Sequence, residues 1–286
     1  MLHRVGISSP FGGNSWNGTS RGSRQRILAM FQRYLFLHRR SLIRVFDIFF
    51  WPVMDLLVWG FVTVYLQEAM PSPLAGLMIF LIGAMISWDI HYRGQQAVTI
   101  SLMEEIWTRN LVNLLIAPLR LWEWIVASLL YGALKVGVVT ILLALLAKAL
   151  YAFELWQAGW MFVPLAVSLL IFGWAIGLLT AGLLLRFGYA AEALIWGIPF
   201  LIQPFSCVFY PLSTLPPWAQ GIARCLPSTY AFEGLRLILQ HGSAPWTIWL
   251  PIVSLNLLYT LLGMAWCVWM FRHARAMGHL ARLGQT

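Results

Sequence analysis

Apolar and polar positions along this chain fall into long blocks instead of alternating. Six apolar stretches lie near residues 45–66, 74–92, 122–148, 158–185, 190–210 and 246–271. A hydrocarbon core about 30 Å thick is crossed by about 20 helical residues; each stretch meets that length, some with residues to spare for tilt. In lipid every backbone N–H and C=O must be bonded within its own segment, which selects helices, and the period-two pattern of a membrane barrel is absent. The predicted fold is therefore all-α and integral to a membrane, with six transmembrane helices. Residues 24–38 add a basic amphipathic helix, with Ile27, Phe31, Tyr34 and Leu35 on one face and Arg26 and Arg33 elsewhere, which suits the membrane interface. Residues 1–23, rich in Gly, Ser and Asn, read as a flexible tail, residues 24–271 as one transmembrane domain and residues 272–286 as a second tail. The first long apolar run exceeds a signal-peptide core, so no signal peptide is expected.

Composition agrees. Of 286 residues 60% are hydrophobic and 10% charged, and the mean hydropathy is +0.75. A soluble domain carries about 25% charged residues, so a cytosolic globular enzyme and a disordered chain are both excluded. The net charge of +9 does not point to nucleic acid, because no nucleic-acid-binding motif accompanies it. It points to orientation. With both termini inside, 15 of the 19 Lys and Arg residues fall on the inner side, which predicts cytoplasmic termini. Aromatic residues at the predicted span ends (Trp51, Trp122, Trp124, Trp156, Trp160, Trp246, Trp249) fit an interfacial belt, although aromatic faces also suit sugar rings and lipid-like molecules.

Chemistry of its own is not apparent. Leu134 and Ala147 precede the two lysines, Lys135 and Lys148, so no GxxxxGK[ST] phosphate loop exists. The six histidines contain no i, i+4 pair and no HExxH motif, and no metal site is expected. No Gly-x-Ser-x-Gly elbow occurs. Cys207, Cys225 and Cys267 show no zinc spacing; Cys207 and Cys225 both fall near the predicted outer face, which leaves a pairing between them open. Active transport would then draw on an ion gradient or on a separate subunit. For the first of these, Asp55 and Lys135 are the deepest ionisable groups and form the candidate coupling pair, but no inverted repeat between the first and second three spans supports it. A lipid-modifying enzyme would need a clustered acid, base or metal set that is missing.

Two connections are long, an inner one near 93–121 and an outer one near 211–245, and long loops in compact proteins are usually functional. The inner one contains Glu104–Leu119, EEIWTRNLVNLLIAPL. It predicts a short helix along the membrane, with Leu111, Leu114 and Leu115 as its apolar seam, Glu104, Glu105, Arg109 and Asn110 as its polar face, Trp107 as an anchor and Pro118 as its stop. Such a cluster suits a protein-protein socket or an ordinary interfacial helix. In the outer connection Pro216-Pro217 predicts a helix ended by Pro227, and Ser228 or Thr229 a cap for a second helix over about 230–240, closed at His241-Gly242. Both are too short to span and read as re-entrant or interfacial. Gln203, Ser206 and Asn256 are polar groups within spans that suit either a substrate path or interhelical hydrogen bonds. The Gly173-to-Gly177 pattern lets a neighbouring helix approach closely.

The charged segment, Trp/Arg and LxNLL leading through Pro118-Leu119 into the third span resembles the intracellular coupling segment of type-2 ATP-binding-cassette (ABC) export permeases. The first span, FDIFFWPVMDLLVWGF from Phe46, and the stretch IWGIPFLIQPFSCVFYPLSTLPPWAQGIARCLPSTYAFEGLR from Ile195 resemble that family's opening span and ending. The tail at 1–23 has no counterpart, and Trp-Thr-Arg-Asn stands where many members are more acidic. The resemblance implies a non-catalytic permease subunit in a bacterial inner membrane. A separate ATPase subunit, carrying ATP and Mg, would dock on a coupling helix formed by Glu104, Glu105, Trp107, Thr108, Arg109 and Asn110. A second permease copy or homologue would complete a route between the first, second and fifth spans, with short outer helices capping it at Tyr210-Pro211. It further implies export of an amphiphile (a lipid-linked or lipo-oligosaccharide, a polysaccharide or a drug). For such a cargo Asp55, Gln203, Ser206, Tyr210 and Asn256 are the candidate path residues. No cofactor is expected on this chain.

Overall fold

The structure is a computed structural model that describes residues 20–69 and 75–277. Its helices are α1 (Ser20–Arg39), α2 (Leu42–Ala69), α3 (Ala75–Trp107), α4 (Leu111–Ile116), α5 (Leu121–Tyr151), α6 (Phe162–Phe187), α7 (Ala193–Ile202), α8 (Pro217–Arg224), α9 (Pro227–His241) and α10 (Trp246–Ala276). No strand occurs among the described residues. Among the described residues four helices, Leu42–Glu68, Leu121–Tyr151, Gly159–Ala191 and Trp246–Ala276, are long and apolar enough to cross a membrane. Pro52 and Pro251 lie inside two of them, where packing against neighbours makes a missing backbone bond tolerable.

The organising element is α3. Its 33 residues rise about 50 Å at 1.5 Å each, more than a bilayer core requires, so it extends beyond the predicted 74–92 stretch and carries Glu104 to Trp107 on its last turn. It packs on α5, α2 and, most extensively, α6. Gly173 and Gly177 allow that contact. A Cβ on Gly173 would run into the His91 carbonyl oxygen, and one on Gly177 would lie 2.6 Å from the Gln95 carbonyl oxygen. The close approach expected of these glycines is therefore present, and α3 is the helix it admits. On the other side of α6, Gly263 of α10 fits against the Ala175 carbonyl.

Several expected boundaries move. The basic amphipathic helix begins at Ser20, four residues inside the expected tail; residues 1–19 lie outside those described. Most of its apolar face is turned inward: Met30 and Tyr34 are buried in the core with Ile125, Tyr131 and Leu178, and Phe31 and Ile27 pack against them, whereas Leu35 is exposed. Residues 104–119 do not form one helix. The chain leaves α3 after Trp107, turns through Thr108 and Arg109, whose φ of 55° is left-handed, and resumes as α4. The side chain of Leu115 lies outside those described. The fifth apolar stretch is helical over Ala193–Ser206, short of the predicted 190–210, because the chain turns at Cys207 with φ 55°. Pro227 opens α9 instead of ending α8, as a first-turn proline can, since its missing N–H would be unbonded there. Ser228 and Thr229 do not cap it; the Ser228 hydroxyl lies 2.8 Å from that of Ser206, and Thr229 Oγ1 donates to the Phe205 carbonyl at 3.0 Å. Gly242, with φ 75°, closes α9 as expected. α10 runs past the predicted end to Ala276; residues 278–286 of the C-terminal tail lie outside those described. Cys207, Cys225 and Cys267 are free thiols.

If the α3–α6 contact organises the bundle, Gly173→Val should destabilise the protein by about 1–3 kcal/mol or prevent folding, the usual effect of overpacking. Gly137, where an added Cβ would have nothing within 4 Å, should accept alanine without loss. Thermal unfolding of both variants in detergent checks this; equal Tm values would contradict it.

Candidate functional site

The residues singled out in the inner connection form an elbow between α3 and α5, held by α1. Glu105 is 1% exposed. A buried carboxylate needs a counter-charge and hydrogen bonds, and three groups supply them. Arg33 of α1 forks onto it, Nη2 donating to Oε2 at 3.0 Å and Nη1 to Oε1. Asn110 Nδ2, from beyond the turn, donates to Oε2 at 2.6 Å, and the Asn110 N–H donates to the Glu105 carbonyl at 2.9 Å. The turn is thereby folded back on the helix that precedes it. Hydrogen bonding to Glu105 raises the pKa of the Arg33 guanidinium, so the cation stays charged.

Two turns earlier on the same face of α1, Arg26 makes the equivalent pair with Glu123, Nε donating to Oε2 at 2.8 Å and Nη2 to Oε1 at 2.6 Å. Glu123 also accepts the Arg120 N–H at 2.9 Å and so closes the first turn of α5. Next to Arg33 on α1, the Tyr34 hydroxyl lies 3.2 Å from Ser128 Oγ, and the Tyr34 and Tyr131 rings stack at 5.6 Å. Further along, Arg44 stands 3.6 Å from Glu104. His38 Nδ1 is 3.1 Å from the Tyr34 carbonyl; burial, with Lys135 nearby, pushes its pKa down to about 4, so it is neutral at ordinary pH. Tyr189, after α6, donates to the Ile106 carbonyl at 3.3 Å.

The six residues of the expected coupling set therefore divide. Glu105 and Asn110 face inward and build the turn. Glu104 is partly covered beside Arg44. Trp107, Thr108 and Arg109 are exposed at the tip, Trp107 by 43%, with Thr108 Oγ1 donating back to the Glu104 carbonyl at 2.7 Å. An open groove of about 330 Å³ lies between α1 and α4, lined by Ala29, Met30, Leu114, Pro118 and Leu119 together with Arg26 and Arg33.

The expected path residues are not brought together. Asp55 is exposed on α2 and makes no ion pair with Lys135. Asn256 is buried in the α10–α6 contact, where Nδ2 donates to Ser168 Oγ and to the Ile252 carbonyl, both at 2.9 Å. Ser206 bonds Ser228, Tyr210 donates to the Pro204 carbonyl at 2.5 Å, and Gln203 is half-buried at the end of α7. Ser206 and Asn256 thus make interhelical hydrogen bonds, the alternative use of such groups. Sequence reasoning missed the Arg26–Glu123 and Arg33–Glu105 pairs. A seven-residue spacing of two arginines on an amphipathic helix was the available signal, but nothing local names the carboxylates they meet.

Long apolar helices around a buried central helix define a multi-pass membrane protein, with a polar elbow at one end and, among the described residues, no cluster of His, Cys, Asp or Glu able to hold a metal. The family model for the ABC-2 type transporter matches residues 27–239, and the chain belongs to that family. It is thus an ABC-type permease, a transport component rather than a catalytic one. No curated protein matches the chain.

If Arg33 and Glu105 hold the elbow, Arg33→Ala should loosen it and speed tryptic cleavage after Arg109 by about tenfold, as expected when one partner of a partly exposed pair is removed. Arg24→Ala, on the exposed side of α1, should leave the rate unchanged. Limited proteolysis of both proteins in detergent tests the pair; equal cleavage rates would refute it.

Proposed function

We propose that this chain is the membrane half of an exporter driven by a separate ATPase subunit, in a bacterial inner membrane with both termini cytoplasmic. The partner docks on the tip at Trp107, Thr108 and Arg109, while Glu105 and Asn110 keep that tip rigid. The observation that carries the reading is this division of labour: exposed anchor side chains of favoured type stand on a turn whose buried half is pinned to α1 and α3. Movement of the docked partner then passes along α3 into the bundle as a rigid-body displacement. ATP and Mg act on the partner, and the permease supplies the route.

In this reading α2, α3, α5, α6 and α10 cross the membrane, α7 makes the remaining crossing with its 3-10 extension, and α8 and α9 fold back over the outer end. A second permease copy or homologue stands against α2. Asp55 supports this, because it is exposed midway along a helix long and apolar enough to span, and a carboxylate at that depth needs protein or water beside it instead of lipid. The cargo is an amphiphile, a lipid-linked or lipo-oligosaccharide, a polysaccharide or a drug.

Trp107→Ala and Arg109→Glu should each weaken co-purification of the ATPase subunit about tenfold or more, the scale of losing an interface anchor, and leave membrane insertion intact, since both side chains are exposed. Transport into proteoliposomes should require ATP and persist when an uncoupler collapses the ion gradient. Transport by the permease alone, or its loss on uncoupling at constant ATP, would overturn the proposal in favour of an ion-coupled carrier.

A further inference from the structure

A second polar feature lies beside the elbow. A cavity of about 110 Å³ is lined by Arg44 and Asp47 of α2, Arg93 and Glu104 of α3, Lys135 of α5 and Trp196 of α7, with the neutral His38 at its edge. Five helices, α1, α2, α3, α5 and α7, converge there, and three positions fix its depth. Arg44 and Trp196 sit in the first turns of α2 and α7. Arg93 lies 18 residues along α3 from Ala75, about 27 Å at 1.5 Å per residue, close to one hydrocarbon thickness. The cavity therefore opens at the headgroup level of the leaflet on the elbow's side, with Lys135, 14 residues into α5 and so about 21 Å along it, at its deeper end.

The carboxylates around it are engaged and the cations are not saturated. Asp89 takes both of its hydrogen bonds from Arg93 Nε, at 2.9 and 2.8 Å; the two Nη atoms of Arg93 have no protein acceptor among the described residues. Asp47 accepts Trp51 Nε1 at 3.1 Å. Glu104 stands 3.6 Å from Arg44. Lys135 has no carboxylate within 4 Å among the described residues, and its Nζ lies 5.0 Å over the Tyr131 ring. An ammonium withdrawn from bulk water with no carboxylate in direct contact is costly; Glu104 and Asp47 share the cavity at longer range, and so do the free guanidinium donors of Arg93, the fork that matches phosphate oxygens. On the helices that line the cavity, Leu134 and Val138 of α5, Phe46 of α2 and Trp196 and Phe200 of α7 are exposed apolar side chains, and Trp196 itself lines it.

We propose that this cavity binds the phosphate group of an amphiphile, with Lys135 Nζ and the Arg93 Nη atoms as donors and the neighbouring exposed apolar side chains along its acyl part. The proposal rests on the permease reading for its biological sense and names the headgroup chemistry of the cargo. Depth favours a phosphate carried by a lipid over free phosphate. Trp196 fits the boundary between headgroup and chain, where indole rings are favoured.

The test is equilibrium dialysis of the purified full chain in detergent against dihexanoyl phosphatidic acid, dihexanoylglycerol and inorganic phosphate. The phosphatidic acid should bind saturably, and the other two about tenfold more weakly or not at all. Lys135→Met should weaken phosphatidic acid about tenfold, the loss expected for a charged hydrogen bond, and Lys135→Arg should restore it; Lys135→Gln replaces the methionine variant if that one does not fold. Unchanged affinity in Lys135→Met, or equal binding of dihexanoylglycerol or inorganic phosphate, would overturn the proposal. No nucleotide or ATPase subunit is present in the dialysis. ATP-driven transport without lipid-phosphate binding would therefore discard the site alone, and binding without ATP-driven transport would discard the permease reading alone.

Discussion

The structure turns on a carboxylate that has no water. Glu105 sits at the end of α3, 1% exposed, and its negative charge is tolerable there only because a guanidinium and an amide arrive from two other parts of the chain. Arg33 brings α1 and Asn110 brings the chain beyond the turn, so one side chain fixes the position of three segments. Removing any one partner leaves a buried charge uncompensated, which costs more than the intact pair contributes. The pair is therefore better understood as a device for geometry than as a source of stability.

That geometry matters because α3 is continuous from the elbow into the bundle. Its contact with α6 is backbone to backbone, with Gly173 and Gly177 against the carbonyls of His91 and Gln95, and such a contact has little side-chain compliance to absorb a push. The tip at Trp107 and Arg109 is thus braced by α1 at Glu105, and α3 joins it to α6 without a break. Arg26 and Glu123 do the same for α5. The two Arg–Glu pairs tie the body of α1 to the end of α3 and the start of α5, which is what a mechanical relay needs and an independent interfacial helix would not provide.

How much of this the sequence shows depends on whether the deciding interaction is local. The apolar stretches are local, and four of them are helices of spanning length. Gly242 is local, because a left-handed helix end needs a residue without a Cβ penalty, and so is the small-residue surface at Gly173 and Gly177. The breaks at Arg109 and Cys207 carry no such signal. Both are left-handed without being glycine, and contacts with distant segments accompany them: Arg33 on the Glu105 that also holds Asn110 at the first, and the neighbouring Ser206–Ser228 and Thr229–Phe205 hydrogen bonds at the second. The helix over residues 24–38 shows its apolar face in its periodicity, but periodicity does not distinguish burial against lipid from burial against α3 and α5. The role of Glu105 was legible as a charged residue in a polar cluster and illegible as a buried one, since its partner is 72 residues away.

The outer surfaces of the bundle separate two solvents. On α10 the exposed residues Leu250, Val253, Leu257 and Leu261 are interrupted by Ser254, whose hydroxyl donates to the Leu250 carbonyl at 2.9 Å. That face asks nothing of its surroundings and suits hydrocarbon. On α2, Trp51, Val58, Phe61 and Tyr65 are equally exposed, yet Asp47 and Asp55 share the helix. Asp47 is partly satisfied by Trp51 Nε1, whereas Asp55 has no hydrogen-bond donor among the described residues. An apolar helix that presents an unsatisfied carboxylate is complete only against polar protein or water, so α2 and α10, alike in length and hydropathy, ask for different surroundings.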